Sequence, residues 1–140
     1  MFKFSVLFLG LSVAVTPVWA DCLAQLDRQT LAEQLSRSTE YLGPLSSDLN
    51  CVKPATPSMQ LVCGNADLLA LHHLNRYAQL VAYENATKQQ VSGNDAFVAQ
   101  VLQQVGNPAK ACTTVECACK RYVQSFQDAA GYDFKLLHAL

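Results

Sequence analysis

Residues 65–91 read NADLLALHHLNRYAQLVAYENATKQQV, the longest periodic stretch of the chain. Leu68, Leu71, Leu74, Ala78, Val81 and Ala82 recur at three- and four-residue intervals, which gathers them on one face of an α-helix. The pattern predicts a helix that opens after Asn65 and runs without a stop signal to about Val91, before Ser92-Gly93. A helix of that length sets the fold class, because the shorter elements on either side must pack against it.

Upstream, Thr56-Pro57 has the form of an N-cap with proline at the first helical position, opening a short helix that ends near Cys63-Gly64. A loop precedes it, with prolines 44, 54 and 57 and serines 46, 47 and 58. Further back, Leu23, Leu26, Leu31, Leu35 and Leu42 fall near helical spacing. They predict a first helix from Cys22 to Leu42, stopped by Gly43-Pro44. Downstream, Asn94 caps a helix carrying Phe97, Val98, Val101, Leu102 and Val105, closed by Gly106 and Asn107-Pro108. Thr113 and Glu116 are spaced as a capping box for a last long helix, with Val115, Cys119, Tyr122, Val123 and Phe126 on its buried side. Gly131 ends it, and the tail YDFKLLHAL reads as a short docking turn or helix. No run of strict alternation and no hairpin dipeptide occurs. The expected fold is all-α, a small bundle of about five helices with neither an internal repeat nor a second domain.

The chain opens MFKFSVLFLGLSVAVTPVWAD. Lys3 precedes an apolar run from Phe4 to Val15, and Val18-Trp19-Ala20 before Asp21 matches a secretory cleavage site. The run is too short for a membrane span. The expectation is a signal peptide over residues 1–20 and a mature, unanchored domain over 21–140, periplasmic or secreted. Removing Lys3 leaves nine basic and 11 acidic residues, a net charge of −2. That balance gives no footprint for nucleic acid or anionic membranes, which need clustered Lys and Arg.

All six cysteines, Cys22, Cys51, Cys63, Cys112, Cys117 and Cys119, lie in the mature part. An even count in a small exported chain reads as a disulfide framework, and three bridges can be drawn in about fifteen ways. A metal site is the competing reading, since Cys117 and Cys119 stand close to Cys112 and a His72-His73 pair occurs. However, structural zinc sites show paired C-x(2–4)-C units, and a C-x-C on a helix points its sulfurs apart. Redox catalysis lacks its C-x-x-C. His72 and His73 are neighbours on a helix and diverge, so one is expected at the helix boundary and one facing solvent. The acidic residues are scattered singly, and no nucleophile elbow or phosphate-cradling loop is present. Asn85-Ala86-Thr87 is formally a glycosylation sequon, set in mid-helix. Neither an enzyme nor a cofactor is expected.

Cys51, then Ala55-Thr56-Pro57, then Cys63 twelve positions on, then Leu68, Ala70 and Leu71, resembles the N-terminal signature of the lysozyme-inhibitor LprI-like family of exported bacterial proteins. Cys112, Cys117 and Tyr122 in ACTTVECACKRYVQSF resemble the family's later element, so the likeness spans about residues 49–126. Met59 and His72 stand where the family has Glu and Asp, Ser125-Phe126 where it has Arg-Ile, and Cys22 and Cys119 are additional. The resemblance implies disulfides Cys51–Cys63 and Cys112–Cys117, which leaves Cys22 for Cys119. It also implies a protein-binding module that inhibits lysozyme, a basic partner. Two alternatives remain: a periplasmic immunity protein neutralising a delivered toxin, and a structural cell-envelope factor. Proximity to the signature singles out residues 64–76, including Asp67 and His72, as the expected contact surface.

Overall fold

A computed structural model describes residues 21–43, 49–91 and 95–129. The leader expected over residues 1–20, the Asn94 cap, Gly131 and the C-terminal tail lie outside the described residues. Five helices follow one another: α1 (Arg28–Leu42), α2 (Pro57–Cys63), α3 (Ala66–Thr87), α4 (Asp95–Val105) and α5 (Val115–Asp128). No strand occurs among the described residues. The all-α, disulfide-stapled bundle expected from the sequence is the fold observed.

The central helix is α3, which packs against all four others, while α2 also touches α5. Asn65 caps α3 by accepting from the backbone N–H groups of Asp67 and Leu68, at 3.0 and 3.1 Å. Leu68, Leu71, Leu74 and Ala78 form the expected apolar face, but His72, His73, Asn75 and Leu80 are buried as well. Being surrounded, α3 has no solvent face over Leu71–Asn75. Both histidines are therefore in the interior, which corrects the expectation that one would face solvent: His72 is 7% exposed and His73 3%. The helix also ends earlier than expected. Lys88 adopts a left-handed φ of 59° and its N–H returns to the Glu84 carbonyl. The chain then folds back so that the Glu84 carboxylate takes the Val91 N–H at 2.6 Å.

Two further boundaries differ from the sequence reading for local reasons. Residues 21–26 form a turn rather than the start of α1, whose cap is Asp27, accepting from the Thr30 N–H at 3.0 Å. The α5 cap is Thr114, one residue later than the capping box implied, with its hydroxyl accepting from the Cys117 N–H at 3.2 Å. Glu116 is free of the box because its carboxylate accepts the distant Cys22 N–H at 2.8 Å and pairs with Lys120 at 2.9 Å.

The main core gathers Leu26, Leu31, Val62, Leu68, Leu71, Leu74, Ala118, Tyr122, Val123 and Phe126. A smaller cluster of Leu80, Val91 and Val101, with Tyr83 and Phe97 edge to face at 5.8 Å, seats α4 on the far half of α3. Three disulfides, Cys22–Cys119, Cys51–Cys63 and Cys112–Cys117, have Cα separations of 6.1, 5.3 and 5.6 Å, within the span a disulfide bridges. They are the same pairs that the resemblance implies.

Candidate functional site

The segment from Leu49 to Cys63 is exposed over residues 50–53 and 55–57. It contains too few apolar side chains to shape itself by burial, so its geometry depends on specific restraints. Leu49 is buried in the main core and anchors one end. The Leu49 carbonyl accepts the Cys51 N–H at 3.0 Å, and the Asn50 side-chain oxygen accepts the Lys53 N–H at 3.1 Å. Cys51 is then bonded to Cys63 at the end of α2. At the other end Thr56 caps α2 by accepting from the Met59 N–H at 3.2 Å, and the buried Ser58 hydroxyl lies 3.2 Å from that of Thr56. Between these anchors Val52 stands 98% exposed, followed by an exposed Lys53. A hollow of about 440 Å³ lies between α2 and the start of α5, walled by Gln60, Leu61 and Val115. On the other side Leu49 and Met59 border a cleft of about 290 Å³, closed by Leu102 and Val105 of α4 and floored by His72, Asn75 and Arg76.

The two residues singled out by proximity to the signature are placed differently. Asp67, in the first turn of α3, makes a two-pronged ion pair with Arg28, its Oδ2 accepting from Nη2 at 3.1 Å. It is half-buried, and that contact ties the start of α1 to the start of α3. His72 does not present to solvent, and it belongs to an interior chain of hydrogen bonds. The Tyr122 hydroxyl donates to the Asn107 side-chain oxygen at 2.9 Å and lies 3.1 Å from His72 Nδ1. With its proton so committed, the hydroxyl accepts from His72 Nδ1–H, which fixes that tautomer. Asn107 also accepts the Ala109 N–H at 2.9 Å, so the chain joins α3, α5 and the connection before α5.

Burial lowers the His72 pKa to about 4, so the ring is neutral near pH 7, and it pushes the Tyr122 hydroxyl above its ordinary range. His73 is also lowered, by burial and by neighbouring His72. The Ser38 carbonyl accepts from its ring, and Nε2 is buried without a partner. Burial brings Arg76 down to about 10, still protonated at neutral pH. Asn75 and Gln79 both donate to the Ser125 hydroxyl, at 2.7 and 3.2 Å, pinning α3 to α5. These polar groups are spent on holding helices together. The donors and acceptors of His72, Tyr122, Asn107, Asn75, Gln79 and Ser125 engage one another rather than converging on one open point.

All six cysteines are oxidised, and among the described residues no three His, Cys, Asp or Glu side chains cluster to hold a metal ion. Three disulfides fit an oxidising compartment outside the cytoplasm. Among the described residues no helix is long and apolar enough to cross a membrane. The sequence resemblance implied the Cys51–Cys63 bridge but did not reveal the exposed tip of the segment it closes. The signal available was the stretch from Leu49 to Ala66, in which Lys53 is the only charged residue. No protein-family model, curated protein or solved structure matches the chain.

Proposed function

We propose that the protein is an exported, non-enzymatic protein-binding module, unanchored in the periplasm or secreted, and that its partner is a lysozyme. The observation that carries this reading is the turn Asn50–Thr56, which is outside the core yet held at both ends by a disulfide, a buried leucine and helix-capping bonds. A segment ordered before binding loses less conformational freedom on docking, which is the advantage of presenting a contact on such a scaffold. The resemblance of the cysteine and Thr-Pro spacing to LprI-like proteins supplies lysozyme as the partner. The net charge of −2 after removal of residues 1–20 suits attraction to a basic enzyme.

The test uses the purified, oxidised domain beginning at Asp21 with host-type lysozyme. Expected results are protection of bacterial cell walls from lysis and stoichiometric capture in a pull-down. A protein that neither protects nor binds rules this reading out.

A further inference from the structure

We propose that the cleft between α2 and α4 binds a small amphiphilic monocarboxylate, with the carboxylate on Arg76 and Asn107 and the hydrocarbon body between Leu49, Met59, Leu102 and Val105. This site lies beside the Asn50–Thr56 turn and does not depend on the lysozyme reading. His72, Asn75 and Arg76 stand three and four positions apart on α3, so they share one helix face and form the floor. Among the described residues α4 packs on α3 and on no other helix, which leaves the space across to α2 open. The opening falls at the seam of two apolar clusters: Leu49 and Met59 belong to the main core and Leu102 to the smaller one. Val105, 41% exposed, borders the same opening, so apolar surface that neither cluster covers faces it. Apolar walls over a few polar groups are the usual make-up of a small-ligand site. At about 290 Å³ the cleft is near the lower end of the range for such sites, and it suits one short chain rather than a two-chain lipid.

The polar groups decide the ligand's charge. Among the described residues lining the cleft, Arg76 is the only one charged at neutral pH, since His72 is held neutral there, and no carboxylate joins them. The Arg76 guanidinium carries five N–H donors in a fixed fork, so it can hold a carboxylate in addition to its contacts within the protein. The interior hydrogen-bond chain leaves a second donor over. The Asn107 side-chain oxygen already accepts from the Tyr122 hydroxyl and the Ala109 N–H, which occupy both of its lone pairs. What that amide has left to offer is N–H. A cation and an amide donor favour an anion over an amine or an alcohol. The anion also stabilises the arginine charge that burial in the cleft floor penalises.

Titration of the oxidised protein beginning at Asp21 with octanoate, followed by amide and side-chain NMR shifts, tests the assignment. Octan-1-ol and octylamine serve as neutral and cationic probes with the same chain. Octanoate is expected to saturate with a Kd of about 1 mM or tighter, as a ligand of this size allows. The shifts should gather on Arg76, Leu102, Val105 and the Asn107 side-chain amide. The alcohol should bind about tenfold more weakly or worse, and the amine should not bind. Arg76→Gln should weaken octanoate about tenfold or more and leave the alcohol within about threefold. Lys88→Gln, which removes a cation roughly 18 Å further along α3 by helix rise, should leave octanoate within about threefold. Ala99→Trp places a large side chain from an exposed position of α4 at the lining and should block all binding. Circular dichroism verifies each variant's fold, and the three-probe series on the unaltered protein decides the matter even where Arg76→Gln does not fold. No saturable shift by about 10 mM octanoate, shifts that map outside the cleft, or equal affinity for acid and alcohol would each overturn the proposal. None of these results bears on lysozyme binding, which is measured separately.

Discussion

At the residue scale the most consequential position is His72, because its charge is excluded by its surroundings. Its folded pKa of about 4 lies below the ordinary value of 6.5. Between those two pH values the unfolded chain binds the proton that the folded protein refuses, so stability rises with pH across this window. Its full contribution is present above pH 6.5, falls as pH drops from 6.5 toward 4, and changes no further below that. The difference corresponds to a loss on the order of 3 kcal/mol. His73 is shifted in the same direction and adds to the slope. We expect denaturant midpoints to fall steadily from pH 7 to pH 4 and the slope to flatten in His72→Gln, measured by urea unfolding at each pH. A wild-type midpoint that is constant over that range would show that His72 titrates normally. Glu116 contributes at still lower pH. The Cys22 N–H, then Lys120, hold its carboxyl below the usual carboxylate range, so its contribution is present above that range and disappears on further acidification.

At the scale of single elements, caps are where local chemistry can be checked one hydroxyl at a time. Thr113 and Thr114 are adjacent and chemically identical, but only Thr114 accepts from an orphan N–H of α5. Thr114→Ala should therefore cost about 1 kcal/mol, while Thr113→Ala should stay within about 0.5 kcal/mol in thermal unfolding. The sequence pattern pointed to Thr113 because Glu116 sits three positions on, a spacing that cannot reveal Cys22 arriving from across the molecule to claim that carboxylate. The Thr56-Pro57 start of α2 and the Gly106 end of α4, at φ 73°, were legible because a cap or a left-handed glycine acts within its own turn. The start of α1 was less so, since Asp27 caps it while Leu23 and Leu26 still continue the apolar pattern on the other side of the cap. Burial of His72 and His73 was not legible at all, because it depends on neighbours supplied by α1 and α5. The exposed Val52 escaped notice for the converse reason: nothing in a valine's sequence neighbourhood says that no element will cover it. For the turn that carries it, Cys51→Ser with Cys63→Ser should cost about 3 kcal/mol by loop closure. Amide exchange should speed up over Asn50–Thr56 and stay slow in the middle of α3.

For the whole molecule, helix order and disulfide order are complementary. Among the described residues α1 and α5 do not pack on each other, and both rest on α3. The bond Cys22–Cys119 joins the turn before α1 to the middle of α5 and closes 97 residues of chain. It lies inside the main core, with Cys22 2% and Cys119 0% exposed. Cys51–Cys63, in contrast, closes 12 residues with Cys51 in solvent. Restricting the unfolded chain stabilises more as the loop grows, about 4.7 kcal/mol for a loop near 100 residues against about 3 for one near 15. Reductants reach a sulfur only where it is accessible. These two facts predict opposite rankings for two measurements. Under mild reduction, Cys51–Cys63 should open first and leave helicity intact, because the core and the other two bridges remain. In paired serine variants, loss of Cys22–Cys119 should lower the melting temperature more than loss of Cys51–Cys63. It also leaves two buried hydroxyls and frees the Asp21–Leu26 turn that supplies the Cys22 N–H to Glu116. Timed alkylation with mass mapping and thermal denaturation of both double variants measure the two rankings directly. Early opening of Cys22–Cys119, or a smaller melting shift on its removal, would show that α1 is held to α3 by the Arg28–Asp67 pair and leucine packing alone.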